Sequence, residues 1–280
     1  MTHGAKTLLF AISLIIASTA SAADYTDLYI VPAVGHAHGA HGTLWRSDLV
    51  LHNVQTVPIA VELALIESNQ PAATAPIAIM VGGETTLHLN PGETRIVSDV
   101  VGNQGRVVAG SLIVGADLPF ALTSRTYAES SSGKRLGQTV TPMAISAGSD
   151  AIEDASVLPG LTAGTAQRTN IGVLIVASRA PLIAEIELVS ASGTTLGSRL
   201  IVVHEPGFVH HQLSTADVAD IDADASALIR IIEGDGVVVP YGSMIDNSTA
   251  EAIFVAGQPI AARSGAARAM LVRAVKASER

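Results

Sequence analysis

Two stretches of the chain carry the same order of sequence features, and this repetition constrains the fold more than any other property. Residues 45–49 (WRSDL) open the first stretch and residues 167–171 (QRTNI) open the second. A proline, an apolar segment, a Pro-Gly pair and further apolar segments follow each opening. Turn signals recur about every 8–12 residues, the spacing of all-β sandwiches. The sequence therefore predicts an internal duplication of an all-β module.

The apolar segments have the period of a half-buried strand. Within residues 59–67, Val61, Leu63 and Leu65 alternate with Ala60, Glu62 and Ala64. Within residues 183–190, Ala184, Ile186 and Leu188 alternate with Ile183, Glu185 and Glu187. A period of two is typical of a strand with one face on a core. No long stripe with helical period occurs in either half, and we expect only short helices at residues 97–101 and 214–217.

These patterns divide the chain into five parts. We predict two tandem β-sandwich domains, over residues 24–146 and 157–257. A short acidic linker, residues 147–156, joins them. Residues 1–22 form a targeting segment, and residues 258–280 form an Ala/Arg-rich tail that is either frayed or a short helix.

The targeting segment has the features of a cleaved signal peptide. Lys6 gives it a positive start, residues 8–17 are apolar, and residues 20–22 (ASA) fit the small-x-small cleavage rule. The apolar run is shorter than the roughly 20 residues of a membrane span. We expect cleavage after Ala22 and export to the periplasm or the extracellular space, with a retained N-terminal anchor as the alternative. The mature chain is expected to have no transmembrane segment.

Composition excludes several classes of function. The chain has no cysteine, so it has no disulfide, no thiol nucleophile and no thiolate metal site. Between Asp24 and Gly257 there are 10 Lys/Arg against 24 Asp/Glu. Nucleic-acid binding needs a basic face, so this acidic body argues against it. Aromatic residues make up only 3% of the chain, which argues against an extended base- or sugar-stacking surface.

The first half also carries a family resemblance. Its pattern VPAVxHxxGxxGTxWRSDLVLHN … NPGET … SRTY … GQ resembles uncharacterised secreted bacterial proteins with tandem immunoglobulin-like β-sandwich repeats. The residues that carry it are Val31, Pro32, His36, Gly39, Gly42, Trp45, Arg46, Asp48, Asn53, Pro91, Gly92, Ser124, Arg125, Tyr127 and Gln138. The resemblance implies an immunoglobulin-like fold and an exported location, and it implies no activity. The second half lacks the histidines, the tryptophan and the Arg-Thr-Tyr.

Three histidines in a Gly/Ala-rich loop form the sharpest local signal. His36, His38 and His41 lie within six residues, and imidazole is a common ligand of Zn and Cu. His52 or Asp48 could supply a fourth ligand. The alternative is a solvated loop, because H-x-H-x-x-H is not a strong metal signature and the second half does not repeat it. A second histidine group, at residues 204, 210 and 211, is expected on the surface of a hairpin.

Six residues receive a structural assignment. Arg46 with Asp48, and Arg125 with Tyr127, are expected to form buried organising pairs. Arg168 stands where Arg46 stands, and recurrence within one chain favours a structural role, with a ligand-binding arginine as the alternative. The full set is Trp45, Arg46, Asp48, Arg125, Tyr127 and Arg168.

The motifs of the chain give little support to catalysis. No nucleophile elbow, phosphate loop or dinucleotide fingerprint occurs, so we assign no catalytic and no cofactor-binding residue. We expect an exported, non-catalytic structural or adhesion protein that presents loops or sheet edges to a protein or cell-surface partner. The alternatives are a metal-ion or small-ligand binding module at the His36–His41 loop and, third, an unrecognised hydrolase.

Overall fold

The structure is a computed structural model. It describes residues 27–39, 42–70, 76–129, 133–144, 155–221 and 224–260.

Nearly all of the regular secondary structure in the described residues is β-strand, which confirms the all-β prediction. Short 3-10 turns occur at Gly102–Gln104, just after the first predicted helix, and at Thr215–Asp217, within the second. None of the helical segments in the described residues is long and apolar enough to cross a membrane. The predicted signal peptide (1–22), most of the linker and the tail beyond residue 260 lie outside the described residues.

Ten strands build the first sandwich. They are β1 (Asp27–His38), β2 (Leu44–His52), β3 (Ile59–Glu67), β4 (Ile77–Ala78), β5 (Thr86–Leu89), β6 (Thr94–Val97), β7 (Val108–Ala116), β8 (Ala121–Glu129), β9 (Arg135–Val140) and β10 (Met143–Ala144).

These strands form two antiparallel layers. One layer has the order β10-β1-β7-β3, with β4 and β5 also paired to β3. The other has the order β6-β2-β8-β9. Strand β1 belongs to both layers, since Asp27–His36 pair with β7 while Ala37 and His38 pair with β2. A register shift between Val31 and Val34 accompanies this crossing.

Seven strands build the second sandwich. They are β11 (Ala155–Leu161), β12 (Gln167–Ser190), β13 (Thr195–Val203), β14 (Gly207–Ser214), β15 (Ala225–Asp246), β16 (Ala252–Ala256) and β17 (Gln258–Pro259).

The long strands β12 and β15 bend, and each contributes to both layers. Residues 167–177 of β12 pair with β14 and with the second part of β15, which also pairs with β16. Residues 182–190 pair with β13 and with the first part of β15, which also pairs with β11. Register shifts between Ala177 and Ala184 mark the bend.

The pairing pattern of the first sandwich recurs in the second, as a duplication predicts. The pairs β1–β7, β1–β10 and β8–β9 correspond to β11–β15, β11–β17 and β15–β16. Strands β2 and β3 correspond to the two parts of β12, with partners β6 and β5 matched by β14 and β13. Direct pairing of β1 with β2, by contrast, is a feature of the first half.

Each sandwich has an aliphatic core between its layers. Val31, Leu49, Leu65 and Leu112 are fully buried in the first core, and Leu158, Ile171, Ile186 and Ile229 in the second. Burial of such a side chain contributes about 1.5–3 kcal/mol of transfer free energy. These contacts stabilise each domain without disulfides.

A third apolar cluster joins the two sandwiches. Its members lie on the outer faces of β1, β3 and β7 in one domain and of β12, β14 and β15 in the other, and none is more than 6% exposed. They are Leu28, Ile30, Ile66, Ile113, Leu174, Val176, Phe208 and Val239. One layer of each sandwich is therefore buried on both faces, and the two domains form a four-layer body.

Candidate ligand-binding cleft

A cavity of about 520 Å³ opens between the sandwiches beside this apolar contact. Small-molecule sites commonly have volumes of about 300–1,000 Å³. Its walls come from both halves of the chain. The lining residues are Ala33, Val34, Gly35, Ala37, His38, Gly39, Trp45, Ala109, Thr126, Gln138, Arg168, Asn170, Gln212, Tyr241, Ser243 and Ile245.

The wall from the second sandwich is the outer face of one sheet layer. Arg168 and Asn170 lie two residues apart on β12 and therefore share a face. Ile245 is opposite Arg168 on β15, and Ser243 is opposite Asn170, so these four side chains lie together. This arrangement places a guanidinium, an amide and a hydroxyl side by side on a wall that the first domain faces.

Gly172 allows an aromatic ring to complete this wall. It is the register partner of Tyr241, and a Cβ atom at residue 172 would overlap the Tyr241 ring. Gln212 of β14 is opposite Gly172 on the other side. Glycine at this position therefore lets the Tyr241 ring lie flat across β12 at the edge of the cleft.

The wall from the first sandwich is the part of β1 that crosses between layers. Trp45 of β2 stands beside it, opposite Ala37. Gly39 donates its N–H to the Thr43 carbonyl at 2.8 Å, and a Cβ at Gly39 would approach the Trp45 Nε1 to 2.6 Å. The glycine therefore lets the chain pass directly against the indole.

Polar contacts between the domains tie the two walls together. Gln138 Nε2 donates to Ser243 Oγ at 3.1 Å. On the far side of the cleft, Asn69 donates its N–H to the His210 carbonyl at 2.7 Å and accepts the Gln212 N–H at 3.0 Å. The buried Gln138–Ser243 bond in particular fixes the relative position of the walls, because buried donors and acceptors need partners.

The position of His210 corrects the prediction that residues 204, 210 and 211 are all surface histidines. His210 is 1% exposed, its Nδ1 lies 2.6 Å from Ser68 Oγ, and its ring stacks on Tyr241 with centroids 5.8 Å apart. Burial, with a smaller contribution from His211, lowers the pKa of His210 to about 3, while burial raises the pKa of the Tyr241 hydroxyl. His210 is therefore a neutral part of the domain contact, whereas His204 is exposed.

Arg168 and Arg46 occupy matching strand positions but have different partners. Arg46 lies near two carboxylates, with Nε 3.7 Å from Asp99 and Nη1 3.8 Å from Glu129. Arg168 Nη1 donates instead to the neutral Asn247 Oδ1 at 2.7 Å. Among the residues that the structure describes, no carboxylate lies within ion-pair distance of Arg168. The described residues that line the cleft include no Asp and no Glu. Arg168 therefore has no ion-pair partner among the described residues.

The histidines proposed as metal ligands lie in different surroundings. His36 Nδ1 is 2.9 Å from both carboxylate oxygens of Asp99, and His38 is an exposed residue at the cleft. His41 lies outside the described residues. Within the described part of the chain, no three His, Cys, Asp or Glu side chains are grouped to hold a metal ion.

The expected pair of Arg46 with Asp48 is wrong. Asp48 accepts the Asp99 N–H at 2.9 Å and the Tyr127 hydroxyl at 3.3 Å, and it pairs with Arg125 at 3.3 Å. Arg125 also stacks over the Tyr127 ring at 4.6 Å, as the pairing of these two residues predicts, but its side chain is 52% exposed rather than buried. Arg46 lies near Asp99 instead, while the Asp48 carboxylate is engaged by Arg125 and by the Tyr127 hydroxyl.

Comparison with known proteins assigns no family. No protein-family model and no curated protein matches the sequence. Among solved structures, Thermotoga maritima 1070 is similar at 10% identity with a TM-score of 0.29, over 43% of this chain and 91% of that one. A glycosyl hydrolase family 2 member from Bacteroides cellulosilyticus is similar at 8% identity with a TM-score of 0.18, over 81% of this chain and 28% of that one. A structure of infectious bursal disease virus Gt strain is similar at 10% identity with a TM-score of 0.23, over 85% of this chain and 73% of that one. Similarity this low carries no argument about function.

Proposed function

We propose that this chain is an exported, non-catalytic binding protein and that the cleft between its two sandwiches is the binding site. The observation that carries the proposal is the cleft itself. Its volume suits a small ligand, and it combines apolar walls with a few polar groups, as ligand sites commonly do. The walls are held by buried contacts between the domains, so a ligand would meet a preformed site.

The placement of features found only in the first half supports this site. The duplication separates residues that both halves need for folding from residues that only one half has. Trp45 and His38 belong to the second group, and both line the cleft. Recognition of a ligand is one reason for such residues to differ between two copies of the same module.

The acidic side chains Asp48 and Asp99 lie outside the described lining of the cleft and make contacts within the first sandwich. Asp99 accepts the Gly102 N–H at 3.2 Å and contacts His36. The Asp48 carboxylate accepts hydrogen bonds from Arg125, from the Tyr127 hydroxyl and from the Asp99 N–H. Carboxylates in such contacts act as structural ties between strands and loops.

Fluorescence of the single tryptophan tests the proposed site. Trp45 is the only tryptophan of the chain, so its emission reports on the cleft alone. We expect saturable changes when the protein is titrated with some members of a defined panel of sugars, amino acids, short carboxylates and their neutral amides. Binding should be lost in Ala109→Phe, which fills the cleft, and kept in Ala121→Phe at an exposed position of β8. Binding that survives Ala109→Phe would contradict the proposal.

Export is tested independently. The native protein purified from its source cells should begin at Ala23 and be recovered from the periplasm or the medium. Recovery of the chain from the cytosol with its N-terminal residues intact would contradict this part of the proposal.

A further inference from the structure

The chemistry of the cleft walls points to one class of ligand. We infer that the cleft binds a small organic carboxylate, with the carboxylate held by Arg168 and an apolar body held against Trp45. This inference rests on the proposed function, because it names the ligand of the same site.

Arg168 provides the anion site. Its guanidinium has five N–H donors, and the structure assigns one hydrogen bond to it, from Nη1 to Asn247 Oδ1. Asn247 is itself fixed, because its Nδ2 donates to the Thr165 carbonyl at 3.1 Å and its N–H to the Ala166 carbonyl at 2.9 Å. The arginine is thus oriented by a neutral group that leaves its charge available. Arginine presents donors in a planar fork that matches a carboxylate.

Neighbouring groups extend the polar end of the cleft. Asn170 follows Arg168 on the same face of β12, and Gln212 lies one strand away. Their amide N–H groups are suited to the lone pairs of a bound carboxylate. Because none of the described lining residues is acidic, this wall favours an anion over a cation.

The opposite wall defines the remainder of the ligand. Ala33, Val34, Ala37 and Ala109 line it with methyl groups, and Trp45 adds an indole ring. Burial of apolar ligand surface against such a wall makes the free energy of binding more favourable, because water is excluded from both surfaces. The ligand is therefore expected to have an apolar body of modest size at one end and a carboxylate at the other.

A purely structural role for Arg168 makes a different prediction. An arginine that only ties the turn after β15 would affect stability when replaced, and it would have no effect on the choice between charged and neutral ligands. The preference for a charged over a neutral ligand therefore distinguishes a ligand-binding Arg168 from a structural one. Loss of stability alone does not distinguish them.

Cyclohexanecarboxylate and its neutral isostere cyclohexanecarboxamide are suitable probes, because neither absorbs where Trp45 is excited. We expect the full chain to bind the carboxylate about tenfold more tightly than the amide, the difference between a charged and a neutral hydrogen-bond pair. Arg168→Gln should abolish this preference. The matched control is Arg125→Gln, a half-exposed arginine outside the cleft, which should retain it. Thermal melting of each variant verifies that it folds.

The outcomes distinguish this inference from the proposal on which it rests. Equal affinity for the two probes, or a preference that survives Arg168→Gln, would overturn the carboxylate assignment and leave the cleft as a binding site. Binding by neutral members of the panel alone would do the same. If neither the probes nor any panel member alters Trp45 emission, both the assignment and the cleft proposal fail.

Discussion

Gln138 of the first sandwich donates a hydrogen bond from Nε2 to Ser243 Oγ of the second at 3.1 Å, and both side chains are less than 10% exposed. A polar contact of this kind, between domains and away from water, leaves an unsatisfied amide if one partner is removed. The pair therefore fixes how the cleft walls face each other.

Replacement of Ser243 by Ala should lower the free energy of unfolding by about 1–3 kcal/mol, because the Gln138 amide loses its buried partner. Urea denaturation measures the effect. Ser124→Ala is the matched control, since Ser124 is also a buried strand serine and its Oγ has no hydrogen-bond partner in the described structure. Equal losses in the two variants would contradict the assigned role of the Gln138–Ser243 pair.

Acid should destabilise the protein partly through His210. Its pKa is about 3 in the folded chain and near 6.5 in the unfolded chain, so the unfolded state binds the proton first as the pH falls. Stability is therefore fully present above pH 6.5 and decreases between pH 6.5 and 3, by up to about 1.4 kcal/mol per pH unit from this residue.

Urea unfolding at a series of pH values measures this dependence. His210→Gln removes the titrating group and should flatten the slope in that range, whereas His204→Gln at an exposed position should leave it unchanged. An unaltered slope in His210→Gln would show that His210 is not held neutral by burial.

A methyl group at residue 172 should disturb the cleft. Gly172→Ala places a Cβ in the Tyr241 ring, and the ring must move at a cost of about 1–3 kcal/mol. Gly242→Ala is a milder control, because its Cβ would meet Leu161 Cδ2 at 3.0 Å and Val255 Cβ at 3.4 Å. Thermal melting ranks the variants, and a Gly172→Ala protein as stable as the wild type would contradict the described packing of Tyr241.

The apolar contact between the sandwiches should make them unfold together. Phe208 is 1% exposed in this contact, and Phe208→Ala should cost about 3–5 kcal/mol. Calorimetry should show one transition for the wild type and two for Phe208→Ala. The exposed Leu200→Ala should behave as the wild type. Two separate transitions in the wild type would show that the domains are not coupled.

The duplication and the strand content could be predicted because they depend on local patterns. Pro-Gly turns and alternating apolar residues determine where strands begin and end, and the pairing of the two halves follows from their repetition. The bends of β12 and β15 were not predicted. The sequence pattern of residues 171–176 and 183–190 predicts two strands separated by Pro181, but the structure joins them in one bent strand.

The sequence contains a signal of the contact between the domains, but this signal is not an alternation of apolar and polar residues. Residues 171–177 (IGVLIVA) and 110–116 (GSLIVGA) are continuous apolar or small runs, and every residue in them is buried. Such runs are typical of strands covered on both faces. The buried position of His210 and the cleft itself could not be read from the sequence, because their partners come from distant parts of the chain, such as Ser68 and Trp45.

The nuclear magnetic resonance signal of the Trp45 indole N–H tests the binding site most directly. The chain contains one tryptophan, so a ¹⁵N-labelled sample gives a single indole signal from a residue that lines the cleft. Titration with cyclohexanecarboxylate should shift this signal saturably in the wild type and in Arg125→Gln, and Arg168→Gln should need about tenfold more carboxylate for the same shift. An indole signal that stays in place for both probes and for every member of the ligand panel would contradict a ligand site between the two sandwiches.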